Sequence, residues 1–206
     1  MDCKSSDTDP GPRAEDQLPH TTQAAVKIVI VGGFGVGKTT MVGSVSEIRP
    51  LTTEETMTQA GIGVDDDYGS DSKTATTVAM DFGRIGITEQ LVLYLFGTPG
   101  QERFWFLWNG LFEGALGAVV LLDTRRLEVS FDVIGRLEER GVPFVIAVNS
   151  FPDAPRYPVE ELRLALDLAP EIPIVECDAR RRASSRDTLM TLMRFLYGLA
   201  VSRAPV

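Results

Sequence analysis

Two cysteines, one histidine and two tryptophans in 206 residues leave little material for several kinds of chemistry. Cys3 and Cys177 form no disulfide framework, and with the lone His20 they form no metal-ligand set. Such sparse cysteine is consistent with a reducing, cytoplasmic setting. Long hydrophobic runs are missing too: stretches such as 116–122 fall far short of a bilayer span. The opening residues lack the apolar stretch of a secretion signal. Asp2 stands where N-myristoylation needs glycine, and Arg203-Ala204-Pro205-Val206 offers no cysteine for prenylation. No direct membrane insertion is expected, so any membrane contact is expected to run through a partner. Positive charge is in deficit, with 20 Lys and Arg against 29 Asp and Glu, a net charge of −9. Nucleic-acid binding draws on clustered Lys and Arg, so no nucleic acid is expected as the main ligand. The acidity reads as solubility. No internal repeat is visible.

What is present is an ordinary globular balance, 44% hydrophobic and 24% charged, at a length that suits one domain. Residues 1–24 are rich in Asp, Ser, Thr and Pro and read as a disordered tail; the folded domain is expected over 25–203. Val26–Val31 is a β-branched run ended by Gly32, hence a buried strand. Lys38–Ile48 suits a helix stopped by Pro50, and residues 49–75 read as a long polar loop. Thr77–Phe82 and Leu91–Phe96 read as a hairpin across Gly86. Ala118–Leu122, Phe144–Val148 and Ile172–Glu176 read as further strands. Three amphipathic helices lie among or after them, on Leu127/Phe131/Ile134, Val159/Leu162/Leu166 and Leu189/Leu192/Met193/Leu196. Strands alternating with helices predict an α/β fold, a mostly parallel sheet covered on both faces. Ligands of such sheets bind at the C-terminal strand ends.

Gly32-Gly33-Phe34-Gly35-Val36-Gly37-Lys38-Thr39 matches G-x-x-x-x-G-K-[ST] between a strand and a helix. Gly33, Gly35 and Gly37 let the backbone around Val36 curl, so that successive N–H groups face phosphates. The helix that follows aims its positive end at the same place. Lys38 supplies a charge for the β- and γ-phosphates, Thr39 a hydroxyl for Mg²⁺, and Thr40 reaches the α-phosphate. A dinucleotide fingerprint fails, because G-x-G-x-x-G from Gly33 would need glycine where Lys38 stands.

From about Val26 to Ala200 the chain resembles the Ras-like small GTPases. Gly97-Thr98-Pro99-Gly100-Gln101-Glu102-Arg103-Phe104 is similar to the D-T-A-G-Q-E-R-F segment of Rab-type members, and Leu121-Leu122-Asp123-Thr124 with Ser130-Phe131 to their next strand and helix. The nearest resemblance is to the bacterial polarity GTPases of gliding motility and to an actinobacterial conserved-operon group. It implies a P-loop three-layer sandwich with six strands, the second antiparallel. It also implies a GTP/GDP switch with slow, Mg²⁺-dependent hydrolysis. In that scheme Gly100 contacts the γ-phosphate, Gln101 orients the attacking water, and Thr77, with Thr76 as alternative, grips Mg²⁺ and the γ-phosphate. A Roadblock-type regulatory protein and a sensor-kinase-containing signalling complex are the implied partners.

Three departures stand out. Gly97 replaces the aspartate that supports magnesium in most members. The guanine motif N-K-x-D survives as Asn149-Ser150-Phe151-Pro152-Asp153, with its carboxylate one residue late, and S-A-K as Asp178-Ala179-Arg180. In that reading Asn149 and Asp153 face the base, the Ala179 N–H faces guanine O6, and Arg180 stacks on the base. Finally, 39 positions separate Lys38 from Thr77, which lengthens the first switch. Asp65–Asp67 within it read as a solvated loop or as a substitute carboxylate near Mg²⁺. The run Phe104–Trp108 reads either as a partner patch or as core packing. Arg125, Arg126 and Arg180–Arg182 read as solvated. The rival functions are a P-loop kinase or ATPase of another type and a non-hydrolysing scaffold.

Overall fold

The β-branched run that opens the folded chain, β1 (Ala24–Val31), sends its side chains alternately to two faces. Ile28 and Ile30 enter one core cluster; Val29 and Val31 enter the other. The computed structural model describes residues 21–58, 75–100 and 108–203. Order begins ahead of β1: Thr21 Oγ1 donates to Glu89 O at 2.8 Å and the Gln23 N–H to Gln90 O at 2.9 Å. The end of the tail read as disordered is therefore tied to the sheet.

The phosphate-loop sequence leads into α1 (Lys38–Val45). Then come β2 (Leu51–Thr58), β3 (Ala75–Gly86), β4 (Leu91–Gly97), α2 (Trp108–Phe112) and β5 (Ala115–Leu122). The chain closes with α3 (Val129–Glu139), β6 (Phe144–Asn149), α4 (Val159–Ala165), β7 (Ile174–Cys177) and α5 (Arg182–Arg203). The sheet order is β2-β3-β4-β1-β5-β6-β7, and only β3 runs against its neighbours. The expected six strands, with the second antiparallel, are β1, β3, β4, β5, β6 and β7. The edge strand β2 is an addition inside what reads as loop. Its threonines suit extended backbone, and it pairs along the outer side of β3 from Leu51↔Phe82 to Thr58↔Ala75.

One core cluster joins α1 and α5 to the sheet through Met41, Val42, Leu189 and Leu192. The other joins α3 and α4 through Val133, Ile134, Leu137 and Leu162. The inward stripe of α3 runs along Ser130, Val133, Ile134 and Leu137, so Phe131 is turned outward; Val159, at the start of α4, is exposed as well. The parallel strands β1, β4, β5, β6 and β7 end on one edge of the sheet, and β1 lies where successive connections diverge to its two sides. That switch point is where an open α/β sheet forms its ligand crevice.

Candidate functional site

At the C-terminal end of β1 the backbone leaves the sheet and curls through residues 32–37 before α1 begins. Gly37 ends the curl at φ 105°, in the left-handed region. A side chain there would also strike Asn149, whose Nδ2 lies 2.7 Å from the place of a Cβ. Lys38 is buried and folds back over the loop, its ammonium donating to Gly32 O at 2.8 Å and Gly33 O at 2.7 Å. Burial pulls its pKa down to about 8, and the nearby Asp81 charge opposes that fall. The lysine is thus held at the loop, partly stripped of water, where phosphate oxygens would replace the carbonyls as its partners. Thr40 follows at the surface.

Asp81 is the site residue that motif reading misses. It lies in β3, only 6% exposed, and accepts a hydrogen bond from Thr39 Oγ1 at 2.6 Å. In the antiparallel pair β3–β4 it stands directly opposite Gly97. A Cβ at residue 97 would lie 2.9 Å from Asp81 Oδ2 and 3.0 Å from Asp81 Cβ. The space that an aspartate at residue 97 would need is filled by a carboxylate reaching across from the neighbouring strand. The absence of a side chain at Gly97 and the presence of Asp81 are therefore one arrangement. A threonine hydroxyl beside a carboxylate, next to a phosphate loop, is an all-oxygen donor pair. That suits Mg²⁺, which keeps waters and phosphate oxygens as its other ligands. Among the described residues no cluster of three or more His, Cys, Asp or Glu is placed to hold a metal by itself.

Thr77 lies in β3 opposite Thr56 of β2. It is four residues from Asp81, about 13 Å along an extended strand. The Thr77 side chain lies outside the described residues. Gly100 comes to the loop: the place of its Cβ would lie 2.6 Å from Lys38 Nζ and 2.8 Å from Phe34 Cα. Gln101, Asp65–Asp67 and the aromatic residues 104–107 lie outside the described residues. The last of that aromatic run, Trp108, opens α2.

On the base side, Asn149 ends β6 and is buried. Its Nδ2 donates to Val36 O at 2.8 Å, and its Oδ1 accepts the Ala179 N–H at 3.0 Å. One side chain thereby ties the phosphate loop to the β7–α5 turn. Arg180 turns back on Asp178, with bonds of 2.8 and 3.0 Å that hold the Asp178 carboxyl below its usual pKa. Asp153 sits on an exposed turn, where its charge acts on Arg125. Arg125 grips buried Asp123 through two bonds of 2.9 and 2.8 Å and lays its guanidinium 4.0 Å over the Phe151 ring. That grip holds Asp123 below the usual carboxylate range. Arg125 and Arg126 are therefore engaged, where the sequence reads as solvated charge: Arg126 donates to Phe34 O at 2.8 Å.

The chain resembles known proteins. Residues 30–198 match the model of a family described as conserved hypothetical ATP binding protein. An uncharacterised protein of Methanocaldococcus jannaschii is 29% identical over 126 residues, 60% of this chain and 69% of that one. The Ras-related protein Rab-11C of Dictyostelium discoideum is 27% identical over 194 residues, 87% of this chain and 76% of its own. RABA3 of Arabidopsis thaliana, also Ras-related, is 30% identical over 124 residues, and the chain covers 44% of its length. Among solved structures, the Arl6 BBS3 small GTPase from Trypanosoma brucei with bound GppNp superposes with a TM-score of 0.58. It does so at 16% identity, over 84% of this chain and 98% of that one, a likeness of fold.

Proposed function

The chain belongs to the family of conserved hypothetical ATP-binding proteins, and we propose that within it this protein is a switch of small-GTPase type that binds and slowly hydrolyses GTP. The observation that carries the reading is the convergence at the end of β1. Lys38 is poised over the loop carbonyls, and Thr39 is bonded to the buried carboxylate of Asp81 in β3. In this reading Lys38 neutralises the β- and γ-phosphates. The loop N–H groups and the start of α1 hold the phosphate oxygens. Gly100 lines the γ-phosphate, and Gln101 orients the attacking water. Thr39 would hold magnesium, with Asp81 supplying the carboxylate that Gly97 cannot, and Thr77 would join them. Magnesium, when bound, screens the phosphate charge that builds during transfer. Asn149, Asp153, Ala179 and Arg180 face the base. The protein works in the cytoplasm. A Roadblock-type regulator and a sensor-kinase-containing complex read its state through the segment that begins at Gly97 and the aromatic run Phe104–Trp108 that follows.

A second reading, an adenine-nucleotide protein, draws on two observations. Arg180, read as stacking on the base, is engaged with Asp178, and Asp153 lies on an exposed surface turn. The matched family also carries an ATP-binding description. Competition of GTP, GDP and ATP for a labelled guanine nucleotide, with and without Mg²⁺, separates the two. GTP and GDP are expected to displace the probe well ahead of ATP, and more tightly with Mg²⁺. Displacement by ATP equal to that by GTP would replace the guanine reading with the second one.

A further inference from the structure

The turn between β5 and α3 is held on three sides. The Arg126 N–H donates to Asp123 O at 3.0 Å, Thr124 Oγ1 donates to Pro155 O at 2.7 Å, and α3 packs on the phosphate loop. That packing is tight enough that a Cβ on Gly33 would lie 2.7 Å from Val129 Cγ1. From this braced turn Arg126 reaches 92 residues back along the sequence and donates from NH2 to Phe34 O at 2.8 Å. Its neighbour Arg125 occupies both oxygens of Asp123, leaving Arg126 at 3.8 Å from the nearer one and 47% exposed. The Arg126 charge is only partly answered, and it stands at the rim of a phosphate loop.

The position of Phe34 gives that rim its meaning. The Phe34 backbone, the Lys38 ammonium and Gly100 meet at one point: the place of a Gly100 Cβ lies 2.8 Å from Phe34 Cα and 2.6 Å from Lys38 Nζ, so a group entering there would displace Gly100 from the loop. In the reading above, the terminal phosphate of the nucleotide lies between Lys38 and Gly100. The carbonyl that receives Arg126 belongs to a residue bordering that end of the loop, away from the base. A guanidinium carries several N–H donors in a rigid fork, and the Phe34 carbonyl engages one of them.

We propose that Arg126 is an arginine supplied in cis: with a nucleoside triphosphate bound, its guanidinium bridges the Phe34 carbonyl to oxygens of the terminal phosphate. There it stabilises the charge that builds as the terminal phosphoryl group passes to water. This rests on the triphosphatase reading and goes beyond it, because it removes the need for an arginine from a partner. The reaction itself is unchanged: water adds to phosphorus, the bond to the β-phosphate oxygen breaks, the water's proton passes to the released phosphate or to solvent, and the nucleoside diphosphate and phosphate leave. Arg126 keeps its proton throughout.

The test uses the full chain and three measurements: affinity for GDP and GTP, single-turnover hydrolysis, and capture of aluminium fluoride in the presence of GDP and Mg²⁺. The wild-type protein is expected to form the GDP–aluminium fluoride complex without a partner. R126A should lose that complex and slow single-turnover hydrolysis by at least about tenfold, the direction in which arginine removal acts in phosphoryl transfer. Its GDP affinity and melting temperature should stay unchanged. R126K should remain slow, because an ammonium lacks the fork. Wild-type rates and aluminium fluoride capture in R126A would overturn the proposal. So would a parallel loss of rate, affinity and thermal stability, which would make Arg126 a brace of the loop only. A wild-type protein that binds GTP but neither hydrolyses it nor captures aluminium fluoride would overturn the triphosphatase reading and the arginine with it. Failure to bind any nucleotide would overturn the reading beneath it as well.

Discussion

Lys38 shows how a single residue can be prepared for an anionic ligand. Its ammonium is buried against Gly32 O and Gly33 O, and burial lowers its pKa from 10.5 to about 8. Triphosphate oxygens would favour its charged form, so the bound lysine titrates above the free one. The sign of the pH effect follows. Below pH 8 both states carry the proton, and this group adds no pH dependence. Above pH 8 the free site has lost the proton and the complex retains it, so binding takes a proton up. Affinity should then weaken as pH rises, by up to about tenfold per unit. Calorimetry at pH 9 in two buffers of different ionisation enthalpy should detect uptake approaching one proton, absent from Lys38→Met. No uptake in the wild-type protein would show that Lys38 does not titrate with the ligand. The residue itself was legible in the sequence, because the loop that uses it is contiguous. Its lowered pKa was not, because that comes from burial within the folded loop, against the opposing charge of Asp81, 43 positions away.

At the scale of elements, near-continuous apolar runs made β1, β5 and β6 readable, since each is buried on both faces over most of its length. Strand β2 was hidden because Leu51–Thr58 is polar and sits at an edge, where pairing rather than burial defines a strand. Asp81 was hidden for a related reason. It acquires its role from register, Asp81↔Gly97 across an antiparallel pair, and register is not written in either segment alone. The pair supplies its own test. Asp81→Gly should weaken the Mg²⁺-dependent part of triphosphate affinity, leaving binding without metal nearly unchanged. Gly97→Asp alone should destabilise the fold, because its new side chain meets the Asp81 carboxylate at about van der Waals contact or closer, with like charge. The double variant Asp81→Gly/Gly97→Asp should recover both the stability and the Mg²⁺ dependence. Magnesium titrations of nucleotide release check this; a double variant as poor as Asp81→Gly would mean that the carboxylate cannot act from β4.

Across the whole molecule the site is assembled from parts far apart in the chain, and Asn149 is the residue that joins them. It links Val36 in the phosphate loop to Ala179 before α5, spanning 113 residues in one direction and 30 in the other. The sequence assigns Asn149 to the base, since only its place after a strand is visible there. The structure adds a second duty, holding loop and turn at a fixed separation. The two duties predict different outcomes for neighbouring substitutions. Asn149→Ala leaves the Val36 carbonyl and the Ala179 N–H without their buried partner, a cost of about 1–3 kcal/mol. In a chain of this size that is a fall in melting temperature of roughly 2–4 °C per kcal/mol. It should appear in the protein without nucleotide, and nucleotide affinity should fall as well, because the loop loses its anchor. Asp153→Ala removes an exposed carboxylate from a surface turn. Its melting temperature should hold, and any effect should be confined to the preference for guanine over adenine. Thermal melts of both variants, with and without GTP, compare them directly. If Asn149→Ala melted like the wild-type protein and lost affinity alone, the staple between loop and turn would carry no stability, and Asn149 would be a base contact only.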